Sequence, residues 1–255
     1  MLSIIVQTFI KFCGTIALAG GRTASRYFHS SFNVEMKKDN SPVTDADRAA
    51  EKKIRSLIQK KYPSHSIHGE EFGDTGKSEH RWIIDPIDAT KNFARKIPFY
   101  GTLVALEHKG KIIAGAVYEP ESGSLWSAEK GKGSFKNGNR IHVSKINKLS
   151  KAMLLYGNPD KFDNKTDKAT SKIGKLCYYV RGYGDYLGHM LVAEGKSELM
   201  LDPAVKPEDV AACKIIVEEA GGKFTDFKGR NTHLRGTGLS SNGILHGKAV
   251  SFFRK

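Results

Sequence analysis

Apolar residues recur at helical spacing twice within the first sixty positions. Between Leu2 and Leu18, Ile5, Phe9, Phe12 and Ile16 fall along one side, which predicts an amphipathic helix packed on a core. The stretch lacks a basic start, Gln7 and Lys11 interrupt it, and it is short of a full span, so no membrane insertion is expected. A polar run from Met36 to Pro42 predicts a mobile loop or hairpin. Thr44 then opens a second helix carrying Ala50, Ile54, Leu57 and Ile58, which Tyr62-Pro63 ends.

Strand patterns follow. Ser66-Ile67-His68 leads into the Gly69-Glu70-Glu71-Phe72-Gly73 turn, and Trp82–Asp85 reads as a buried strand. Runs at Thr102–Glu107, Lys111–Tyr118, Ser124–Ala128 and Ser134-Phe135, separated by Gly, Pro and Asn turns, predict an antiparallel meander that Ile141–Ser144 closes. A linker near 145–150 divides the chain into an N-terminal α+β half (1–148) and a C-terminal α/β half (149–255). In the latter, strands at Met153–Tyr156, Tyr178–Arg181, Glu198–Leu201 and Lys223–Asp226 alternate with helices at Tyr186–Ala193 and Val210–Ala220, the second capped by Gly221-Gly222.

At 255 residues, with 39% hydrophobic positions, the chain can bury a substantial core. Its net charge of +14 suits phosphate-bearing partners. The lysines are scattered, without clustered Arg or interleaved aromatics, which speaks against nucleic acid and for a solvated surface that steers a small polyanion. Three unpaired cysteines (Cys13, Cys177, Cys213) fit a reducing cytoplasm. Cys177 and Arg181 are too close for a cysteine-phosphatase loop. Gly195-Lys196-Ser197 lacks the earlier glycine of a nucleotide-binding loop, since Met190 stands there, and the histidines lack zinc spacing.

The chemistry lies in four acidic clusters. Thr44-x-x-Asp47 reads as a capping box, Glu70-Glu71 as a solvated turn and Asp209 as a helix N-cap when each is taken alone. Asp85 and Asp88 resist such a reading, because Asp85 ends an apolar strand where an unpaired charge is costly. Together the clusters supply hard oxygen ligands from element ends, as Mg²⁺ takes them. Ala89 and Thr90, opening a short helix, would offer backbone N–H groups to phosphate.

Ser41-Pro42-Val43-Thr44-Asp45-Ala46-Asp47, Gly69-Glu70-Glu71, Asp85-Pro86-Ile87-Asp88-Ala89-Thr90 and Asp209-Val210-Ala211-Ala212 through Glu219-Ala220-Gly221-Gly222 resemble the inositol monophosphatase family of magnesium-dependent, lithium-sensitive phosphomonoesterases. The resemblance implies a layered αβαβα sandwich of the α/β (α+β) class, with an antiparallel sheet in the first half, a mixed one in the second, and a homodimer. It implies that Glu70, Asp85, the Ile87 carbonyl and Thr90 hold one Mg²⁺, and that Asp85, Asp88 and Asp209 hold another. Thr90 and Asp47 would orient the attacking water. Lys37 or Lys38 would lie over the site, where a third metal binds through Glu70 and Glu71. Three departures stand out: Ala89 replaces a family Gly, Glu208 a common Trp, and Cys213 a frequent Gly.

Val180-Arg181-Gly182-Tyr183-Gly184-Asp185-Tyr186, Leu191-Val192-Ala193-Glu194-Gly195, Asp202-Pro203 and Ile215-Ile216-Val217-Glu218-Glu219 resemble the histidinol-phosphate phosphatase branch. Histidinol carries an ammonium and an imidazole, and Asp185 and Asp202 would place negative charge against them. Arg181, Gly184, Asp88 and Asp209 complete the expected substrate contacts. Histidinol phosphate is preferred over inositol phosphate, with a 3′-nucleotide or fructose bisphosphate third. A basic nucleic-acid-binding protein or a non-catalytic family member is the alternative class, and the full set Glu70, Asp85, Asp88, Thr90 and Asp209 speaks against it.

Overall fold

A computed structural model describes residues 8–37 and 41–254. The first half runs α1 (Phe9–Phe28), β1 (Val34–Met36), β2 (Pro42–Thr44), α2 (Asp45–Lys61), β3 (Ser66–Gly69), β4 (Gly73–Thr75), β5 (His80–Asp88), α3 (Thr90–Ala94) and the meander β6 (Gly101–His108), β7 (Lys111–Glu119), β8 (Ser124–Glu129), β9 (Gly133–Lys136) and β10 (Asn139–Ile141). The second half runs β11 (Met153–Tyr156), α4 (Asn164–Gly174), β12 (Tyr179–Arg181), α5 (Asp185–Ala193), β13 (Leu199–Asp202), α6 (Pro207–Glu219), β14 (Lys223–Thr225), β15 (Gly238–Ser241) and α7 (His246–Phe253).

Five layers result. Helices α1 and α2 cover one face of an eight-stranded sheet ordered β10-β9-β8-β7-β6-β5-β3-β4. Helices α5 and α6 fill the space between that sheet and a five-stranded one ordered β12-β11-β13-β15-β14. Residues of α4 and α7 close the outer face of the second sheet. The central core joins Ile83 and Leu103 of the first sheet to Ala211, Ile215 and Met200 of the second half. The first sheet is antiparallel except where β3 runs parallel to β5, and the second mixes parallel and antiparallel pairs.

Several elements depart from their periodicity. Helix α1 begins later than the apolar pattern and continues to Phe28, and Ile5 lies outside the described residues. It runs through Gly20 and Gly21 because both pack where no side chain fits: a Cβ there would come within 2.5 Å of Ile54 and of Tyr118, respectively. Helix α4 carries little periodic signal, because it is rich in Lys and Thr and buries only Ala169 and Ile173. Strand β15 and helix α7 also went unpredicted. On either side of the polar run after Met36, β1 and β2 are antiparallel and pair Val34 with Thr44 and Met36 with Pro42. Gly195-Lys196-Ser197 is a turn, with Gly195 at φ +71° and the Ser197 hydroxyl donating to the Met153 carbonyl.

Candidate active site

The acidic clusters gather where β3 and β5 end and α2 and α6 begin. Strand β5 does not stop at Asp85 as its hydrophobic run predicts but continues to Asp88. Three residues separate the two carboxylates, so simple alternation would put them on opposite faces. The register breaks between them: Asp85 pairs with Leu103 and Asp88 with Gly101, so β5 holds one extra residue. That bulge, at Pro86-Ile87, leaves both carboxylates in one electrostatic neighbourhood. The Ile87 N–H donates to Asp85 at 3.0 Å, and the Ile87 carbonyl accepts from the Thr90 hydroxyl at 2.9 Å.

Ala89 links the bulge to α3 in the left-handed region, at φ +66° and ψ +44°. A methyl would be tolerable there in right-handed helical backbone. The helical sense is the wrong one for an L-residue, and the Cβ costs about 1 kcal/mol.

Asp47 caps its helix as Thr44-x-x-Asp47 predicts. Its Oδ2 accepts the Thr44 N–H at 2.8 Å and the Thr44 hydroxyl at 2.6 Å, while its buried Oδ1 has no hydrogen-bond partner among the described residues. Asp209 is not the N-cap of α6 but its third residue. Lys206 occupies the cap, and its N–H donates to Asp209 Oδ2 at 2.7 Å. Cys213, one turn further on, is fully buried with its thiol against the Asp209 carbonyl.

Glu70 and Glu71 are not a solvated turn. Lys37 Nζ sits between them, 2.9 Å from Glu70 and 2.6 Å from Glu71. Burial works against its charge, but the two carboxylates outweigh that and hold its pKa above the ordinary lysine range. Lys38 lies outside the described residues. Beneath the turn, fully buried Glu51 of α2 accepts the Glu71 N–H at 2.8 Å and the Arg55 Nε–H at 2.7 Å. Sequence reasoning missed this pair, although two charges four residues apart inside the Ala50–Ile54–Ile58 stripe are a visible signal.

Electrostatically the cluster is frustrated. Burial, then Glu70, Asp88 and Asp209, push the Asp85 carboxyl well above its ordinary range. Burial, Asp185 and Asp209 do the same to Asp88. Burial raises Asp47 and Asp209 to about 7, with neighbouring carboxylates adding to each. Among the described residues no three His, Cys, Asp or Glu side chains close tightly enough to enclose an ion as they stand. The donor set nonetheless fits a hard divalent cation: carboxylates, a bulge carbonyl and a hydroxyl, buried together with too little positive charge among them.

Beside the cluster lies a cavity of about 670 Å³, lined among others by Ala89, Asn92, Phe99, Tyr156, Tyr183 and Asp185. Its aromatic lining was not anticipated. Gly184 also lines it, packed so closely on Gly157 that a Cβ would lie 2.8 Å from the Gly157 Cα. Asp202 ends β13, is buried, and lies behind this glycine contact. Its Oδ2 is 3.3 Å from where a Gly157 Cβ would sit, and its buried Oδ1 has no partner among the described residues. Burial, then Asp185 and Asp209, raise its carboxyl to about 8. Arg181 is not brought to the cavity. Its guanidinium stacks on the Tyr179 ring, 3.8 Å from the centroid, and bonds the Val180 carbonyl at 2.9 Å.

Residues 6–254 match the inositol monophosphatase family. The chain belongs to that family. With it, the chain is a phosphoric monoester hydrolase. It is 40% identical to a histidinol-phosphatase of Chlorobaculum parvum, covering 88% of this chain and 87% of that one. It is 36% identical to a histidinol-phosphatase of Streptomyces coelicolor, covering 93% of each. Among solved structures, the extragenic suppressor protein SuhB of Bartonella henselae superposes with a TM-score of 0.87 at 31% identity, covering 94% of this chain and 96% of that one. The layered fold is therefore the family's. Among the described residues, no helix is long and apolar enough to cross a membrane.

Proposed function

We propose that this member of the inositol monophosphatase family is a Mg²⁺-dependent phosphatase that hydrolyses histidinol phosphate to histidinol and inorganic phosphate. The observation that carries the reading is the meeting of Glu70, Asp85, Asp88 and Asp209 beside a cavity that Asp185 lines and Asp202 backs. Glu70, Asp85, the Ile87 carbonyl, Thr90, Asp88 and Asp209 would hold two Mg²⁺, and Glu70 with Glu71 a third once Lys37 moves aside. Bound Mg²⁺ supplies positive charge against the phosphoryl oxygens and acidifies water.

The chain's own groups do the rest. Thr90 donates its proton to the Ile87 carbonyl, which leaves its oxygen free to accept from the attacking water. The unpartnered Asp47 Oδ1 offers a second acceptor, and α3, which carries Thr90, packs against β2 beside it. The Ala89 and Thr90 N–H groups would be offered to the phosphoryl oxygens. Water's oxygen bonds phosphorus as the bond from phosphorus to the ester oxygen breaks, one of that water's protons ends on the departing ester oxygen, and histidinol departs into the cavity. Asp185 and Asp202 favour a cationic leaving group, because buried carboxyls pushed toward neutrality regain their charge next to a cation. The family's homodimer fits the half-exposed Ile97, Phe99 and Tyr183 at the cavity mouth.

The test is phosphate release from histidinol phosphate, inositol 1-phosphate, a 3′-nucleotide and fructose bisphosphate, with Mg²⁺, with Li⁺ and with chelator. The expected result is highest kcat/KM for histidinol phosphate, loss on chelation and inhibition by Li⁺. A preference for inositol phosphate would sink the substrate assignment, and chelator-resistant turnover the metal assignment.

A further inference from the structure

His68 of β3 bridges two carboxylates. Its Nε2 lies 3.2 Å from Glu208 Oε2 on α6, and its Nδ1 lies 2.9 Å from Asp74 Oδ1 on β4. Asp74 is held in turn by Arg81 at 3.3 Å. Glu208 is buried, and it stands one residue before Asp209. His68 stands two residues before Glu70. The bridge therefore ties the strand that presents Glu70 to the helix turn that presents Asp209, across the boundary between the first sheet and the middle helical layer.

We infer that His68 and Glu208 are positioning residues that fix the separation of Glu70 and Asp209 and so tune how tightly the site holds its metal. The inference rests on reading those two carboxylates as ligands. Two features of the bridge support it. Glu208 contributes to the negative potential at Asp85, so without a partner it would be one more uncompensated buried anion beside the cluster. Glu208 also replaces a packing residue with a hydrogen-bonding one, so in this chain α6 is set against β3 by a directional contact. Groups that orient ligands without touching the metal change its affinity by about 10–100-fold when removed.

The experiment is Mn²⁺ binding to the full chain, read from the electron paramagnetic resonance of the free ion, with no ester present. Glu208→Gln and His68→Asn are compared with the wild type, each checked by circular dichroism and melting without metal. Positioning predicts that both variants weaken Mn²⁺ binding by about tenfold while melting within about 2 °C of wild type. The double variant His68→Gln/Glu208→Gln, which can keep a neutral hydrogen bond, recovers part of the loss. If only charge mattered, the two single changes would have opposite signs, because His68→Asn leaves Glu208 negative and would tighten binding. Unchanged or tighter binding in His68→Asn overturns the inference. So does weakening that appears only together with a collapse in melting temperature in both variants. Because the readout uses no ester, it stands if the substrate assignment fails, whereas wild-type protein that binds no Mn²⁺ overturns it along with the metal reading.

Discussion

The Tyr186 N–H donates to Asp88 Oδ2 at 2.6 Å, joining the first turn of α5 to the last residue of β5 across 98 positions of sequence. Asp88 is thereby oriented from the second half of the chain, and the cavity wall that begins at Asp185 is pinned to the acidic cluster. An amide oxygen can accept the same bond. Asp88→Asn should therefore leave the fold intact, as should Asp209→Asn. Each should cut phosphate release by at least about a thousandfold, since it removes an anion from the site that positions the cation. Phosphate release and circular dichroism together check this, and undiminished turnover in either variant would remove the two-metal assignment.

Ala89 pays for its left-handed backbone, and Ala89→Gly relieves it. The gain is offset in part by the greater freedom of glycine in the unfolded chain. A net stabilisation of about 0.5 kcal/mol is expected, seen by calorimetry as a melting temperature about 1–2 °C higher. A lower melting temperature would show that the Cβ contributes packing worth more than the strain.

Gly69 lies directly over the Glu51–Arg55 pair. A Cβ at this position would come 2.0 Å from Glu51 Oε1 and 2.8 Å from an Arg55 guanidinium nitrogen. Gly69→Ala must displace a buried charge that also holds the Glu71 N–H, at a cost of about 3 kcal/mol. Urea unfolding should report that loss, together with weaker activity from a displaced Glu70. A loss below about 1 kcal/mol would show that the pair can move without penalty.

Asp185 discriminates between leaving groups. Asp185→Asn should lower kcat/KM for histidinol phosphate by more than about tenfold and for inositol 1-phosphate by less than about threefold, because only the former carries positive charge to the cavity. Equal losses on the two esters would withdraw the electrostatic basis for the choice.

Acid should destabilise the chain through buried imidazoles on α5 and α7. Burial lowers the His189 pKa to about 3, and Nδ1 is its one bonded nitrogen, 2.7 Å from the Ser240 hydroxyl. Burial lowers His246 to about 4. A histidine whose folded pKa is depressed binds its proton in the unfolded chain first. The stability these two histidines contribute is thus complete above about pH 6.5 and falls as pH drops from there toward the folded values. Between pH 7 and 4.5, His189 alone costs about 2–3 kcal/mol. His189→Asn should flatten the urea-measured pH dependence by about that amount, and an unchanged slope would place the acid-labile groups elsewhere.

Local patterns were legible where short-range physics decides them. The Thr44–Asp47 capping box, the end of α2 at Tyr62 and the meander from β6 to β9 all follow from neighbouring residues. So does the Gly221-Gly222 stop of α6, where Gly222 and Gly221 donate to Val217 and Glu218. Helix α4 and strand β15 were not legible, because few apolar positions mark the first and flanking glycine and serine disguise the second.

By itself the sequence determined which side chains are hard oxygen donors, the family they signal and the elements whose ends carry them, because periodicity, caps and motif spacing operate within a few residues. Only the tertiary structure decided how those donors meet. The bulge in β5, the left-handed turn at Ala89, Lys37 between two glutamates, Arg181 folded onto Tyr179 and the His68 bridge to Glu208 all depend on partners outside each local motif or on exact backbone register. Burial sets the charge of the cluster in the same way, since the solvent a carboxylate loses depends on every layer packed around it.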